Sequence, residues 1–384
     1  MKLINQIIFF SIVLIVYGLI NFYIGKRAIL VVPYEYKTHF YFIFLFIVIS
    51  YIAGRILEHY FSSFLSTALI WIGSFWMAFM FYFLLSIILI DFFRLLNFVF
   101  NFYPDFIKSN MDAVSKITAL IILIIVSILV IAGHVNTYFP RVKTYNLSVD
   151  KKANTIESLN IVLVTDIHLG IIVGPAYMKK IAGIINDLKP DIVLLAGDVI
   201  DEDINPVIKN NHGESLKNIK ARYGVFGITG NHEYIGGVEP AVKYLEEHNV
   251  LMLRDTSILI DNNFYLAGRE DRAIGQFAGK RRKPLNEILT NVNKSLPIIL
   301  MDHQPFGLYD AVENKIDLQV SGHTHNGQLW PLNYIVDKVY ELGWGYKKTG
   351  ETHFYVSCGA GGWGPPIRTG SRPEIVNITL KFKQ

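Results

Sequence analysis

The chain has 384 residues, with 36 Lys and Arg, 32 Asp and Glu, and one cysteine, Cys358. Residues 1–140 carry only eight basic and five acidic side chains, and residues 141–384 carry the other 28 and 27. That is about 9% charged against about 23%, where soluble domains average ~25%. A single soluble globular domain is therefore excluded. At 52% hydrophobic and 14% aromatic, a disordered chain is excluded too. Net charges of +3 and +1 leave neither part basic enough to bind nucleic acid. One cysteine permits no intramolecular disulfide.

A helix needs ~20 apolar residues to cross the ~30 Å hydrocarbon core of a bilayer. Charge-poor stretches within residues 1–140 predict four such helices, at roughly 3–24, 38–57, 65–90 and 117–137. A signal peptide is disfavoured for the first, because Asn21–Gly25 offers no small-residue cleavage site. Phe92–Phe106 is aromatic but interrupted by Arg94, Asn97, Asn101 and Pro104, which reads as an interfacial segment. The spans hold almost no charge, which points to an anchor or a lipid-contacting surface rather than a transport path. The expectation is a multi-pass cell-membrane protein. Four crossings put the N-terminus and residues 141–384 on the same side of the bilayer. Basic residues divide six and six between the two sides, so the positive-inside rule does not choose that side.

After Tyr145 the pattern becomes short apolar runs alternating with amphipathic stretches, which argues for a layered α/β domain over 141–384. Strands are predicted at 160–165, 191–196, 224–229, 251–253, 257–260, 264–267, 298–301, 317–321, 354–357 and 375–383. Helices are predicted at 175–188, 216–222, 238–247 and 284–292. The strand ends are the informative feature. Asp166-Ile167-His168, Gly197-Asp198, Gly230-Asn231-His232-Glu233, Asp302-His303 and Gly322-His323-Thr324-His325 each come directly after a predicted strand. Ligands of open α/β sheets bind at the carboxyl ends of strands. Five strand ends thus deliver Asp166, His168, Asp198, Asn231, His303, His323 and His325. Any one of them alone reads as a turn residue, a helix cap or a structural histidine. Together their mixed oxygen and imidazole donors suit a borderline divalent ion such as Mn, Fe or Zn. Seven donors are too many for one tetrahedral site and suit two metals sharing a carboxylate.

These motifs, in this order, resemble the calcineurin-like metallophosphoesterase superfamily, over about residues 160–380. Ser321–Gln328 and the tail containing Gly359–Gly364, Pro365–Arg368 and Pro373-Glu374-Ile375 resemble its membrane-associated, YkuE- and YaeI-like branch. That branch usually has Gly where this chain has Asn326. The resemblance implies a four-layer αββα β-sandwich. It also implies a first metal on Asp166, His168 and His325, a second on Asn231, His303 and His323, and Asp198 bridging them. His232 would be the catalytic residue, donating a proton to the leaving group or stabilising its charge. Asp201 and Glu233 would support these groups. The implied activity is hydrolysis of a phosphoester or pyrophosphate bond by a metal-activated hydroxide.

Beyond the motifs, Arg368 is expected to contact a substrate phosphate or headgroup, because the Gly-rich 359–364 backbone could bring it near a ligand. Arg269, Arg272, Arg281, Arg282 and Lys283 form a second basic group, read as a solvated surface or a substrate contact. The aromatic stretch Trp330–Trp344 reads as a lid or an interfacial loop as readily as a plain surface loop. A tethered hydrolase points to a lipid-linked substrate, such as a phospholipid or the UDP-diacylglucosamine cleaved by enzymes of this superfamily. A general phosphodiesterase or monoesterase merely localised by its helices is the alternative, with a non-catalytic binding module behind it.

Overall fold

The computed structural model describes the backbone from Lys2 to Gln384, with side chains at Ile8 and from Ser11 onward. The chain divides into two compact units, one of residues 1–133 with 364–366, the other of residues 134–363 with 367–384.

Among the described residues, the first unit contains four helices long and apolar enough to cross a membrane: α1 (Lys2–Ala28), α2 (Lys37–Tyr60), α3 (Phe64–Phe100) and α4 (Met111–Thr137). Helix α3 runs ten residues past its expected end, so Phe92–Phe100 is helix and not a separate interfacial segment. No breaker interrupts it, and Asp91 and Arg94 sit one turn apart and pair at 3.5 Å. It stops where Asn101 adopts a left-handed conformation (φ 49°), shortly before Pro104. Its start is a capping box between Ser63 and Ser66. Helices α2 and α3 approach closely at Gly73, where a Cβ would lie 2.4 Å from the Tyr51 backbone nitrogen. Small residues at such crossings are how helices pack when lipid removes the hydrophobic drive. Polar side chains bond across the helices: Tyr17 Oη to the Val48 carbonyl at 2.8 Å, and Trp76 Nε1 to Asn21 Oδ1 at 2.8 Å.

The second unit contains two six-stranded sheets. Its strands are β1 (Arg141–Val149), β2 (Ser158–Val164), β3 (Ile192–Ala196), β4 (Val225–Ile228), β5 (Val250–Met252), β6 (Thr256–Ile260), β7 (Phe264–Gly268), β8 (Ile298–Met301), β9 (Leu318–Ser321), β10 (Gly345–Thr349), β11 (Thr352–Val356) and β12 (Glu374–Phe382). The orders are β1-β12-β2-β3-β4-β5 and β10-β11-β9-β8-β7-β6. Strand side chains alternate between faces. Leu159, Ile161 and Leu163 of β2 enter the core shared with Phe264, Ile299, Leu318 and Val320 of the other sheet. Val162 and Val164 enter a separate core with Met178, Ile181 and Ile185 of α5 (Pro175–Asp187) and Ala241 and Leu245 of a helix at Val238–Glu247. A third core covers the outer face of the second sheet with Leu285, Ile288, Leu308 and Ala311. The layers are therefore αββα. Central strands buried on both faces explain the continuous apolar runs.

The sequence reading missed β1 and β10. Both are edge strands with alternating, half-exposed polar residues. The helix expected at 284–292 is a single turn, Leu285–Ile288, and that at 216–222 is a short 3₁₀ segment, Glu214–Asn218.

Candidate functional site

Strands β2, β3 and β4 are parallel neighbours in one sheet, and β8 and β9 are parallel neighbours in the other. Their carboxyl ends bring all eight motif residues to one place. Asp166, His168 and His325 form one cluster, and Asp198, His303 and His323 another. Ligand atoms within each cluster lie within 4.8 Å of one another. Asn231 joins the second, with Oδ1 2.8 Å from His323 Nδ1. Asp198 stands between the clusters: its Oδ2 is 3.1 Å from His303 Nε2 and 3.9 Å from His168 Nε2.

The backbone pays for this convergence in conformation. Asp166, His168, Asp198, His323 and His325 all have φ between 50° and 73°. Left-handed backbone costs a non-glycine residue about 1–2 kcal/mol. Strain of this kind persists where a site over-determines it. The motif glycines are required by close approach. A Cβ on Gly230 would lie 2.1 Å from Asp198 Oδ1, and one on Gly322 would lie 2.3 Å from Asp166 Oδ2. Each glycine thus makes room for the carboxylate of a different motif. The helix α6 (Asn231–Gly236) then starts at Asn231. Glu233 braces the backbone of the neighbouring loops. Its carboxylate accepts backbone N–H bonds from Asp198, Ile200 and Gly230, tying the β3 and β4 loops together.

Hydrogen bonds identify which ring nitrogens are free. His303 Nδ1 donates to the Ala196 carbonyl at 2.8 Å. Its Nε2 therefore faces Asp198 with no hydrogen-bond partner, although fully buried. At 3.1 Å from a carboxylate, that nitrogen needs a proton or a cation between the two: burial opposes charge on His303, but Asp198, and after it Asp166 and Asp271, hold it well above its ordinary value, so the place is taken by a proton or by a metal ion. His168 Nε2 and His325 Nε2 face each other at 3.1 Å, and His168 Nδ1 is also buried without a partner. The residues present therefore fit divalent metal, because their unmet donors and acceptors converge on carboxylates.

Burial pushes His168 down to about 3 and His323 down to about 4, and the cationic neighbours His232 and His303 add to this. Burial, then the Arg368 guanidinium, holds His325 well below its ordinary value. These rings are neutral, the state a metal ligand needs. Burial opposes the charge on Asp198, but the surrounding histidines, His303 first, hold it well below the usual carboxylate range. Burial also opposes charge on His232, yet its bond to Asp201 and the Asp198 charge raise it to about 9. Asp201 Oδ1 is 3.0 Å from His232 Nδ1. That leaves Nε2 as the proton-bearing atom offered to a ligand. The rings of His168 and Trp363 flank His232, with centroids 4.4 and 5.7 Å away.

Arg368 corrects an expectation. It is 1% exposed, and its guanidinium donates to the carbonyls of Cys358 and Gly361, to Ser371 Oγ and to His325 Nδ1. Its donors are used within the protein, so it supports His325 rather than reaching for a substrate phosphate. Arg269 is buried and Arg282 half-buried, and they pair with Asp302 at 3.1 and 2.8 Å. Arg272 is exposed and stacks over Phe306. The segment Trp330–Trp344 contains a helix, Asn333–Val339, which together with Trp330 exposes Tyr334, Ile335 and Val339. Asp201 was expected as a supporting group, and the structure gives it His232 as its partner; the place of Trp363 was not legible residue by residue. The spacing of Asp201, three residues after Asp198, was the available signal for that pairing.

Residues 159–327 match the family model described as calcineurin-like phosphoesterase. The chain is 31% identical to a Campylobacter jejuni protein called an uncharacterized metallophosphoesterase, over 98% of this chain and 99% of that protein. It is 33% identical to a Danio rerio transmembrane protein with metallophosphoesterase domain, over 67% of this chain and 62% of that one. It is 30% identical to the uncharacterized metallophosphoesterase YkuE of Bacillus subtilis, over 59% of this chain and 80% of that one.

Proposed function

The chain belongs to the calcineurin-like metallophosphoesterase family, and from that premise we propose a membrane-spanning hydrolase with a two-metal centre. In this reading residues 1–140 are the anchor and residues 141–384 the metal-dependent phosphoesterase. Asp166, His168 and His325 hold one ion, Asn231, His303 and His323 hold the other, and Asp198 serves both. The observation that carries it is the place of the Asp198 carboxylate between two imidazole-lined clusters, with His303 Nε2 buried and unpartnered. The ions, of the Mn, Fe or Zn class, supply charge neutralisation and activation of water when bound.

The chain's own residues do the rest. His232, protonated because Asp201 and Asp198 favour its cation, offers Nε2–H to the departing oxygen. Asp201 fixes the ring and keeps the other proton on Nδ1. Arg368 and Ser371 hold His325 from behind, through its ring nitrogen and its carbonyl. Trp363 packs edge-on against the His232 ring, 5.7 Å between centroids, and helps to fix its orientation.

A lipid-linked phosphoester is the substrate class this reading favours. The four apolar helices support it, as does the exposed Trp330, Tyr334, Ile335 and Val339 surface. The Danio rerio relative's description as a transmembrane protein supports the spanning arrangement. With both termini of the helical region on one side, the N-terminus shares the hydrolase's side of the bilayer. The test uses the full chain, reconstituted with Mn²⁺. A phospholipid monoester or lipid pyrophosphate in vesicles is expected to give a higher kcat/KM than a soluble chromogenic monoester or diester. Equal values would favour a general phosphoesterase that the helices merely localise.

A further inference from the structure

The helical unit contains a half-open cavity of about 750 Å³, within the size range of small-molecule sites. Its wall is largely apolar, with Ile24, Phe44, Trp76, Phe83 and Leu123 along it. It is also lined by Arg27, Asp91, Arg94 and Lys116. These four lie at one end of the unit. Arg27 is in the last turn of α1, Asp91 and Arg94 are in the last third of α3, and Lys116 is near the start of α4. Helices that alternate in direction put those three termini together, and the ion pair between Arg27 and Asp91 joins two of them.

The charges at this end do not balance. Asp91 accepts hydrogen bonds from both the Tyr23 hydroxyl and the Arg27 guanidinium. Arg94 reaches the same carboxylate only at 3.5 Å, and among the described residues that is its one ionic partner. Lys116 pairs with the exposed Asp112 along its own helix. One carboxylate therefore serves two guanidiniums at the mouth of an apolar space. A cation bordering hydrocarbon is costly unless an anion meets it. A neutral lipid would leave Arg94 short of a partner. A lipid ammonium group would be repelled by it.

We propose that this cavity binds one anionic glycerophospholipid. Arg27 and Arg94 hold its phosphate, and an acyl chain lies between α4 and the other three helices, against Phe44, Trp76 and Leu123. The site is separate from the metal centre, and every lining residue belongs to the helical unit. It therefore stands whether or not the catalytic substrate is itself a lipid.

Trp76 in the wall provides the probe. The full chain is reconstituted in phosphatidylcholine vesicles, and acyl-brominated phosphatidylglycerol or acyl-brominated phosphatidylcholine is titrated in. Quenching assigned to Trp76 is the difference between the parent protein and Trp76→Phe. The expected result is tighter apparent binding of brominated phosphatidylglycerol, by about 5-fold or more, the effect of one to two cations near an anionic lipid. Arg94→Gln keeps the Arg27–Asp91 pair and is expected to bring the two lipids to near parity. Ala119→Phe, which narrows the cavity without adding a tryptophan, is expected to weaken quenching by both. Both variants should hydrolyse a soluble phosphoester as the parent does, which shows that the protein is folded. Equal quenching of the parent by the two lipids would overturn the proposal. So would a preference that survives Arg94→Gln, or quenching unaffected by Ala119→Phe.

Discussion

The two units treat polar side chains in opposite ways. In the helical unit the large apolar side chains face outward, with Ile15, Leu19 and Phe22 at least 60% exposed, while Asn21, Ser50, Glu58, Ser66 and Ser74 are buried. Most of these buried groups bond to each other or to backbone: Trp76 to Asn21, Ser66 to Glu58, Ser50 to the Ile47 carbonyl. In the hydrolase unit the apolar side chains are inside, and the densest buried polar cluster lies at the strand ends. There the bonding is incomplete among protein atoms, since His303 Nε2 and His168 Nδ1 have no partner. Buried polar groups that satisfy one another hold a fold together, and unsatisfied ones that cluster, as at these strand ends, call for an ion or a water to complete them. The exceptions among the helices sharpen the rule. Among the described residues Ser74 Oγ has no hydrogen-bond partner and nothing in the structure explains it, whereas Asp91 Oδ1, which meets only Arg94 at 3.5 Å, lies at the wall of the cavity.

The comparison can be broken most sharply at Asp198. Asp198→Asn removes the charge shared by both clusters at nearly constant volume. A fall in kcat of roughly 10³-fold or more on a soluble phosphodiester is expected, with unchanged helicity in the helical unit. His232→Ala should lower kcat by roughly 10²–10⁴-fold while bound metal is retained. Loss of metal in that variant would move His232 into the ligand set.

Asp201→Asn is expected to cost roughly 10–100-fold in activity, and it has a second readout in stability against pH. The folded value of His232 is raised, from 6.5 to about 9. Its contribution to stability is therefore fully present below pH 6.5 and is lost as pH rises through about 9. The gap in Tm between parent and Asp201→Asn should be widest between about pH 4 and 6.5 and should narrow towards pH 9. A gap that widens with pH would contradict the pairing.

The smallest effect on catalysis is expected in the other unit. Gly73→Leu places a side chain against the Tyr51 backbone and should destabilise the α2–α3 pair by roughly 1–3 kcal/mol. Hydrolysis of a soluble ester should be unchanged. A parallel loss of activity would show that the two units do not fold independently.

Much of this was legible in the sequence because the strongest signals are local. Four apolar stretches and five strand-end motifs each lie within one contiguous segment. The αββα layering and the candidate ligand set came from those motifs and the resemblance they carry. Features created by folding were less legible. Arg368 was expected at a substrate phosphate, but the loop after β11 turns inward and uses its donors on three backbone or hydroxyl oxygens and His325. Arg282 looked solvated in a basic run, yet Asp302, next to His303, draws it into an ion pair. Asp91 and Arg94 read as interruptions of an apolar stretch. Within a helix they fall on one face, where Arg27 meets them from a segment 64 residues away. Edge strands β1 and β10 carry alternating polar residues that look like loop until a neighbouring strand pairs with them.

The most direct test measures metal content and hydrolysis together. The full chain, purified with Mn²⁺, is assayed by mass spectrometry for bound metal and with a chromogenic phosphodiester for turnover, before and after chelation, alongside Asp198→Asn. About two metal equivalents per chain are expected in the parent, with activity that chelation abolishes and Mn²⁺ restores. Asp198→Asn should lose both activity and metal. Undiminished turnover by the chelated protein, or by Asp198→Asn, would contradict a two-metal centre shared through that carboxylate.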